Sequence, residues 1–178
     1  SGDTGTFTIT TTDSSGATID TNADVNSVRI TGLISSATIT PASLVAGASG
    51  NAVLAFTMSN PLPKNGKVVV TFPDGFDLTS APAASSTSDI DGTFATSVAG
   101  QVVTITRQDN GNDEAAGPIT DLTLSNIKNP GVSGDTGTFT ITTTDSSGAT
   151  IDTNADVNSV RITGLISSAT ITPASLVA

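Results

Sequence analysis

Apolar residues recur at every second position along most of the chain. Between Asn51 and Asn60, the residues Leu54, Phe56 and Met58 share one face. In the following run Val68, Val70 and Phe72 do the same, while Lys67 and Thr71 point away. The same alternation groups Val103 with Ile105, Leu122 with Leu124, Phe139 with Ile141, and Val160 with Ile162, leaving Arg161 outward. A period of two marks strands with one face buried and the other in water. Turn-forming groups separate the runs: Pro63-Lys64-Asn65-Gly66, Pro73-Asp74-Gly75, Asp91-Gly92, Asn110-Gly111, Asn129-Pro130-Gly131 and Ser146-Ser147-Gly148. No stretch carries a helical period with caps. Short strands of this kind predict an all-β fold, an immunoglobulin-like β-sandwich, with a small barrel as the rival.

The chain also repeats itself. Residues 1–46 and 133–178 are identical letter for letter, an offset of 132 that holds to the last residue. A fold does not require such identity, because surface positions accept most substitutions. A recently copied tandem array accounts for it better. The expected organisation is therefore residues 1–36 as the C-terminal part of a preceding repeat, 37–168 as one complete 132-residue β-sandwich repeat, and 169–178 as the first strand of the following repeat. Pro41 is expected to end the pairing of the opening strand at an edge.

Between units the sequence VRITGLISSATITP, from Val160 to Pro173, passes from one strand into the next without a Gly/Ser linker. So short a junction restricts the relative orientation of neighbours, because a flexible coil needs length to spread its ends. The units should stack end to end as a semi-rigid rod. A lone hairpin is marginal in water, so order in the first 36 residues is expected to depend on another chain or an adjoining unit.

The words SATITPASLVAGASGNAVLAFTMSNPLPKNGKVVVTFPDGF, GQVVTITR, LTLSNIKNP and SGDTGTFTITTTDSSGATID together cover the repeat unit. In them the chain resembles the tandem immunoglobulin-like repeats of very long secreted surface proteins, such as bacterial adhesins and the cell-surface or flagellar-hair proteins of unicellular algae. The likeness lies in strand and turn words rather than site residues. It implies an extracellular or cell-surface location, identical repeats or copies of itself as partners in a filament, and no catalytic residue.

Composition narrows the chemistry further. The chain has no Cys, His, Trp or Tyr, which removes thiol nucleophiles, imidazole bases, disulfides and the commonest transition-metal ligands. A Ser-His-Asp triad is impossible, no Walker-type phosphate loop occurs, and no enzymatic activity is expected. Net charge is −10, so nucleic acid is repelled, and the aromatic platforms on which bases stack are missing. No apolar run approaches the roughly 20 residues of a membrane-spanning helix.

Three groups could carry chemistry. Asp20, Asn22, Asp24 and Asn26, repeated as Asp152, Asn154, Asp156 and Asn158, place oxygen-bearing side chains at every second position. In a tight loop they could supply calcium with several of its six to eight oxygens, although the EF-hand glycine is absent and Thr31 stands where that motif has Glu. The acidic knot from Asp109 to Glu114 offers similar chemistry. Both groups are equally readable as solvated turns. A row of Thr6, Thr8 and Thr10 could meet ice or an ordered surface, or simply form the wet face of a strand. Lys128, continuing the parity of Leu122 and Leu124, is either an isopeptide donor or a solvated strand end.

Function then divides in two. The array is a structural spacer in a long fibre, stalk or adhesin needing no cofactor, or a calcium-dependent module adhering to cell-surface glycans, ice or a partner cell. Binding faces favour exposed aromatics and Arg. The six Phe fall on core or turn positions, which favours the spacer.

Overall fold

The computed structural model describes residues 2–166, 168–172 and 174. Among them every regular element is a β-strand. In chain order these are β1 (Gly2–Asp3), β2 (Phe7–Thr12), β3 (Thr18–Val25), β4 (Arg29–Ile30), β5 (Gly32–Leu33), β6 (Ser35–Pro41), β7 (Ser49–Met58) and β8 (Lys67–Thr71). There follow β9 (Ala84–Ser85), β10 (Phe94–Ala99), β11 (Val102–Arg107), β12 (Gly117–Lys128), β13 (Gly134–Asp135), β14 (Phe139–Thr144), β15 (Thr150–Val157) and β16 (Arg161–Ile162).

Two sheets form a β-sandwich. One runs β10-β11-β8-β14-β15-β5 and the other β6-β7-β12-β9. Alternation decides what lies between them: Leu54, Phe56 and Met58 of β7, Val68 and Val70 of β8, Val103 and Ile105 of β11, Leu122 and Leu124 of β12, and Phe139 and Ile141 of β14 are all buried. Towards one end, Phe72, Phe76 and Phe139 pack with ring centroids 5.3 to 5.5 Å apart. Such tilted, edge-on contacts suit the ring quadrupoles.

In β12 parity shifts twice, first between Ile119 and Leu122 and again before Ile127. Asn126 takes a left-handed φ of 59°, and the register against β7 slips between Leu124 and Ile127. The bulge adds a residue, so Ile127 turns inward and Lys128 outward. Lys128 instead pairs with Asp77 at 3.5 Å, on the surface. The inward orientation expected from Leu122 and Leu124 is thereby corrected, and Lys128 is a solvated strand end.

Identical sequences meet different surroundings. Residues 7–25 form the hairpin β2–β3 in the same register as β14–β15, Ile9 facing Asn22 as Ile141 faces Asn154. In the later copy β14 also pairs with β8, Ile141 opposite Val70. Among the described residues β2 and β3 make a sheet of two strands alone. Phe7 is 46% exposed where Phe139 is 0%, and Ile9 is 59% exposed where Ile141 is 0%. Similarly, residues 37–40 lie in β6, paired with β7, whereas residues 169–172 lie in no strand. Residues 173 and 175–178 of the expected following strand lie outside the described residues.

Carboxylates organise the loops. Asp121 accepts bonds from the hydroxyls of Ser86, Thr87 and Ser88 and from the amides of Thr87 and Ser88. Asp89 in return accepts from Thr120 and from the Asp121 amide. The pair laces the loop after β9 onto β12. Partial burial opposes ionisation of Asp121, but the donors from Ser86, Thr87 and Ser88 outweigh it and hold the carboxyl well below the usual carboxylate range.

Two outcomes follow. Phe139→Ala should cost about 3–5 kcal/mol in a denaturant titration, the range for emptying a buried aromatic site, while Phe7→Ala at the identical sequence position costs little. A carboxyl with a lowered folded pKa contributes stability above its unfolded value of about 3.9 and loses it as pH falls through the folded value. The gap in melting temperature between wild type and Asp121→Asn, present at pH 7, should therefore narrow as pH drops below about 4.

Candidate functional site

The segment Arg29–Ile34 joins the first hairpin to the sandwich, and it is fastened rather than free. Arg29 and Ile30 form β4, pairing with Asp3 and Gly2 of β1. The guanidinium of Arg29 lies 3.5 Å from the Asp3 carboxylate and donates to the Thr150 carbonyl at 3.0 Å. Gly32 and Leu33 form β5, a parallel edge strand beside Asp152 and Thr153 of β15. The Ile34 amide donates to the Thr153 carbonyl at 3.1 Å, and the Ile34 side chain is wholly buried. Asn154 Nδ2 donates to the Ile34 carbonyl at 3.0 Å, and Ser59 Oγ to the Leu33 carbonyl at 2.5 Å.

At the centre sits Asp152, with 0% exposure. Its Oδ2 accepts the amides of Ser59 at 3.1 Å and Asn60 at 3.0 Å, and its Oδ1 accepts Asn60 Nδ2 at 2.7 Å. A buried carboxylate needs such donors, because desolvation without them is costly. Gly32 passes directly over this group. A Cβ there would lie 1.8 Å from Asp152 Oδ1 and 2.2 Å from Asn60 Nδ2. Only a residue without a side chain fits.

Asp20, Asn22, Asp24, Asp152, Asn154 and Asp156 lie on strands, with Asn26 and Asn158 just beyond them, correcting the tight loop that their composition suggests. In the first copy Asp20, Asn22 and Asp24 are on β3, with Asn26 just beyond it; the Asn22 side chain accepts the Asp24 amide at 3.0 Å, and Thr11 Oγ1 donates to Asp20 at 3.4 Å. In the second copy Asp152 and Asn154 serve the junction, while Asp156 and Asn158 are exposed. Asn154 repeats the Asn22 bond, accepting from the Asp156 amide at 2.9 Å. Among the described residues, no three carboxylates gather in a metal-sized cluster.

The acidic knot folds back on its neighbours. Asp113 accepts the Lys64 amide at 2.9 Å, Asn110 accepts the Thr93 amide at 2.9 Å, and Asn112 donates to Asp91 at 2.7 Å. Beneath them Arg107 is buried. It donates to the carbonyls of Leu62 and Pro63 at 3.0 Å each, to Asn112 at 2.5 Å and to Asp91 at 3.0 Å. Its signal was present in the sequence, since Arg107 continues the inward parity of Val103 and Ile105. Gly32, Ser59 and Asn60 carry no comparable signal, because nothing along the chain connects them to Asp152.

Around β2 the Thr row and the Phe7 and Ile9 between its members are exposed alike. Thr6, Thr8 and Thr10 are exposed, and in the second copy Thr142 and Thr153 share a hydroxyl bond of 2.9 Å across the strand pair. Elsewhere, a cleft of about 720 Å³ opens between β10 and the segment from Phe76 to Pro82, walled by Leu78, Thr96, Val98 and Gln101. Asp77 is the charged residue on its wall. No helix is long and apolar enough to cross a membrane among the described residues.

No family model matches this chain, and no curated protein matches it. A solved structure that is similar is a non-cellulosomal cohesin from the hyperthermophilic archaeon Archaeoglobus fulgidus. The TM-score is 0.41 with 11% identity, over 71% of this chain and 91% of that one. The sandwich architecture stands on the strand order given above.

Asp152→Ala leaves the Ser59 and Asn60 donors unmatched, and each buried unsatisfied donor costs about 1–3 kcal/mol. Chemical denaturation should show a loss of at least that size. The same change at Asp20, where the carboxylate is exposed, should stay within about 0.5 kcal/mol.

Proposed function

We propose that the chain is part of a tandem array of all-β units acting as a semi-rigid structural spacer in a long extracellular fibre, stalk or adhesin. Its partners are copies of the same unit joined end to end, and the role is mechanical rather than catalytic. In this reading residues 1–31 complete a preceding unit and the last residues open a following one. This differs from the sequence-based division at 36: residues 32–36 are assigned to the unit that follows, a choice supported by the buried Ile34 and by β6 beginning at Ser35.

One observation carries the reading. The hairpin β2–β3 is identical to β14–β15 yet exposes the apolar face that β14–β15 buries. An exposed Phe7, Ile9 and Ile19 make sense as the missing piece of another sandwich whose remaining strands have the sequence of β6 to β12. The junction supports it too. A linker held by backbone pairing, a buried carboxylate and an Arg–carbonyl bond transmits orientation, whereas a flexible coil would not. Phe56, Phe72, Phe76 and Phe139 are buried and Phe94 packs against the core, so they are not available as sugar-binding platforms.

The test is a longer chain in which residues 32–132 precede residue 1, restoring the period. Amides of β2 and β3 should then exchange with deuterium as slowly as those of β14 and β15. Equal, fast exchange of β2 and β3 in both the longer and the present chain would overturn the reading.

A further inference from the structure

The edge of β15 that receives Gly32 to Ile34 has the properties of a receptor, and its ligand sequence occurs twice. Residues 29–34 read Arg-Ile-Thr-Gly-Leu-Ile, and so do residues 161–166. The first copy is seated; in the second, Arg161 to Thr163 pair with Asp135, Gly134 and Val45, and Gly164 to Ile166 stand open. Ile34 is 0% exposed, whereas Ile166 is 87% exposed.

Several features select that sequence. The parallel pairing of Gly32 and Leu33 with Asp152 and Thr153 supplies main-chain bonds, as in other cases where a segment adds to a sheet edge. Ile34 supplies an apolar anchor. Arg29 reaches the Thr150 carbonyl at 3.0 Å. The glycine is required by the receptor, not by its own backbone, since neither Gly32 nor Gly164 has a φ in the left-handed region. At Gly32 a Cβ would strike Asp152 and Asn60. At Gly164 it would meet only Ser133, at 3.8 Å and beyond. Nothing around Gly164 asks for glycine. Thr163, meanwhile, is pinned to its own unit by bonds with Leu44 and Ala46, so the segment leaves that unit from a fixed point.

We propose that residues 161–166 of one chain dock on the Asp152 receptor of a second copy whenever that receptor is vacated, forming a noncovalent head-to-tail joint with the contacts of the covalent one. Two different surfaces meet in this joint, so the assembly grows open-ended rather than closing into a dimer. The geometry depends only on the seated segment; its purpose, rejoining a broken array, rests on the array reading above. In the intact chain residues 29–34 compete for the receptor from a short tether. Tethering of that kind acts as an effective concentration of about millimolar, so isolated chains below that range remain single.

The test opens the receptor while leaving the ligand untouched. Gly32→Ala places a Cβ on Asp152 and expels the tethered segment, and Ile34→Ser removes the anchor without a clash. Sedimentation velocity at rising concentrations, up to about the millimolar value of the tether, should find both variants associating while wild type stays single. Adding Gly164→Ala to either should return it to a single species. Gly164→Ala alone should behave as wild type. Association that survives the loss of Gly164, or no association by either opened variant, would overturn the proposal. The hairpin-exchange experiment can fail independently of these outcomes, since it reads the protection of β2 and β3 in chains whose Gly32 and Gly164 are unchanged.

Discussion

The structure depends on sealing one apolar strand face. Phe139 and Ile141 are buried only because β8 lies beside β14 and the second sheet lies across from it. Burying side chains of this size is worth about 1.5–3 kcal/mol each, and a two-stranded hairpin has no second layer to provide it. The smallest piece of chain that closes is therefore a whole sandwich, starting at the seated Gly32 and reaching to β16. A fragment of the repeat forms its hairpin and leaves the apolar side facing water, as β2 and β3 do.

The junction follows from the same requirement in backbone form. A strand of two residues can hold little by itself, yet β5 sits at a sheet edge where β15 has unpaired groups to offer. Asp152 makes that short pairing specific. It is buried, holds the Ser59–Asn60 turn by three donors, and leaves room only for glycine above it. Asp20, the same residue in the same sequence, keeps its carboxylate in solvent because no Ser59–Asn60 turn reaches it. Chemistry here is assigned by neighbours, not by residue type.

Arg107 extends the support behind that turn. Its guanidinium gathers the carbonyls of Leu62, Pro63 and Asn112 with the Asp91 carboxylate, fixing the chain immediately after Asn60. A buried cation is tolerable because nearly all its donors are matched and Asp91 balances its charge. The acidic loop from Asp109 to Glu114 thus braces the end of the sandwich on which Gly32 to Ile34 are seated.

Much was legible from the residues alone. Alternation assigned the core faces of β7, β8, β11 and β14, because side chains on a strand must point to opposite sides. The turns came from glycine, proline and asparagine for equally local reasons. Local preference even persists without tertiary support: Ser168 has a φ of 61° and Ser36 one of 50°, although only the latter lies in a paired strand. What the sequence could not decide was whatever required two distant segments to meet. Lys128 faces out because of a bulge against β7, Asp152 became a junction residue on a strand rather than part of a loop because residues 59 and 60 arrive from nearly a hundred positions away, and identical hairpins differ in burial because only one has β8 beside it. A strand determines its own pleat, but only its neighbours determine whether a face is dry.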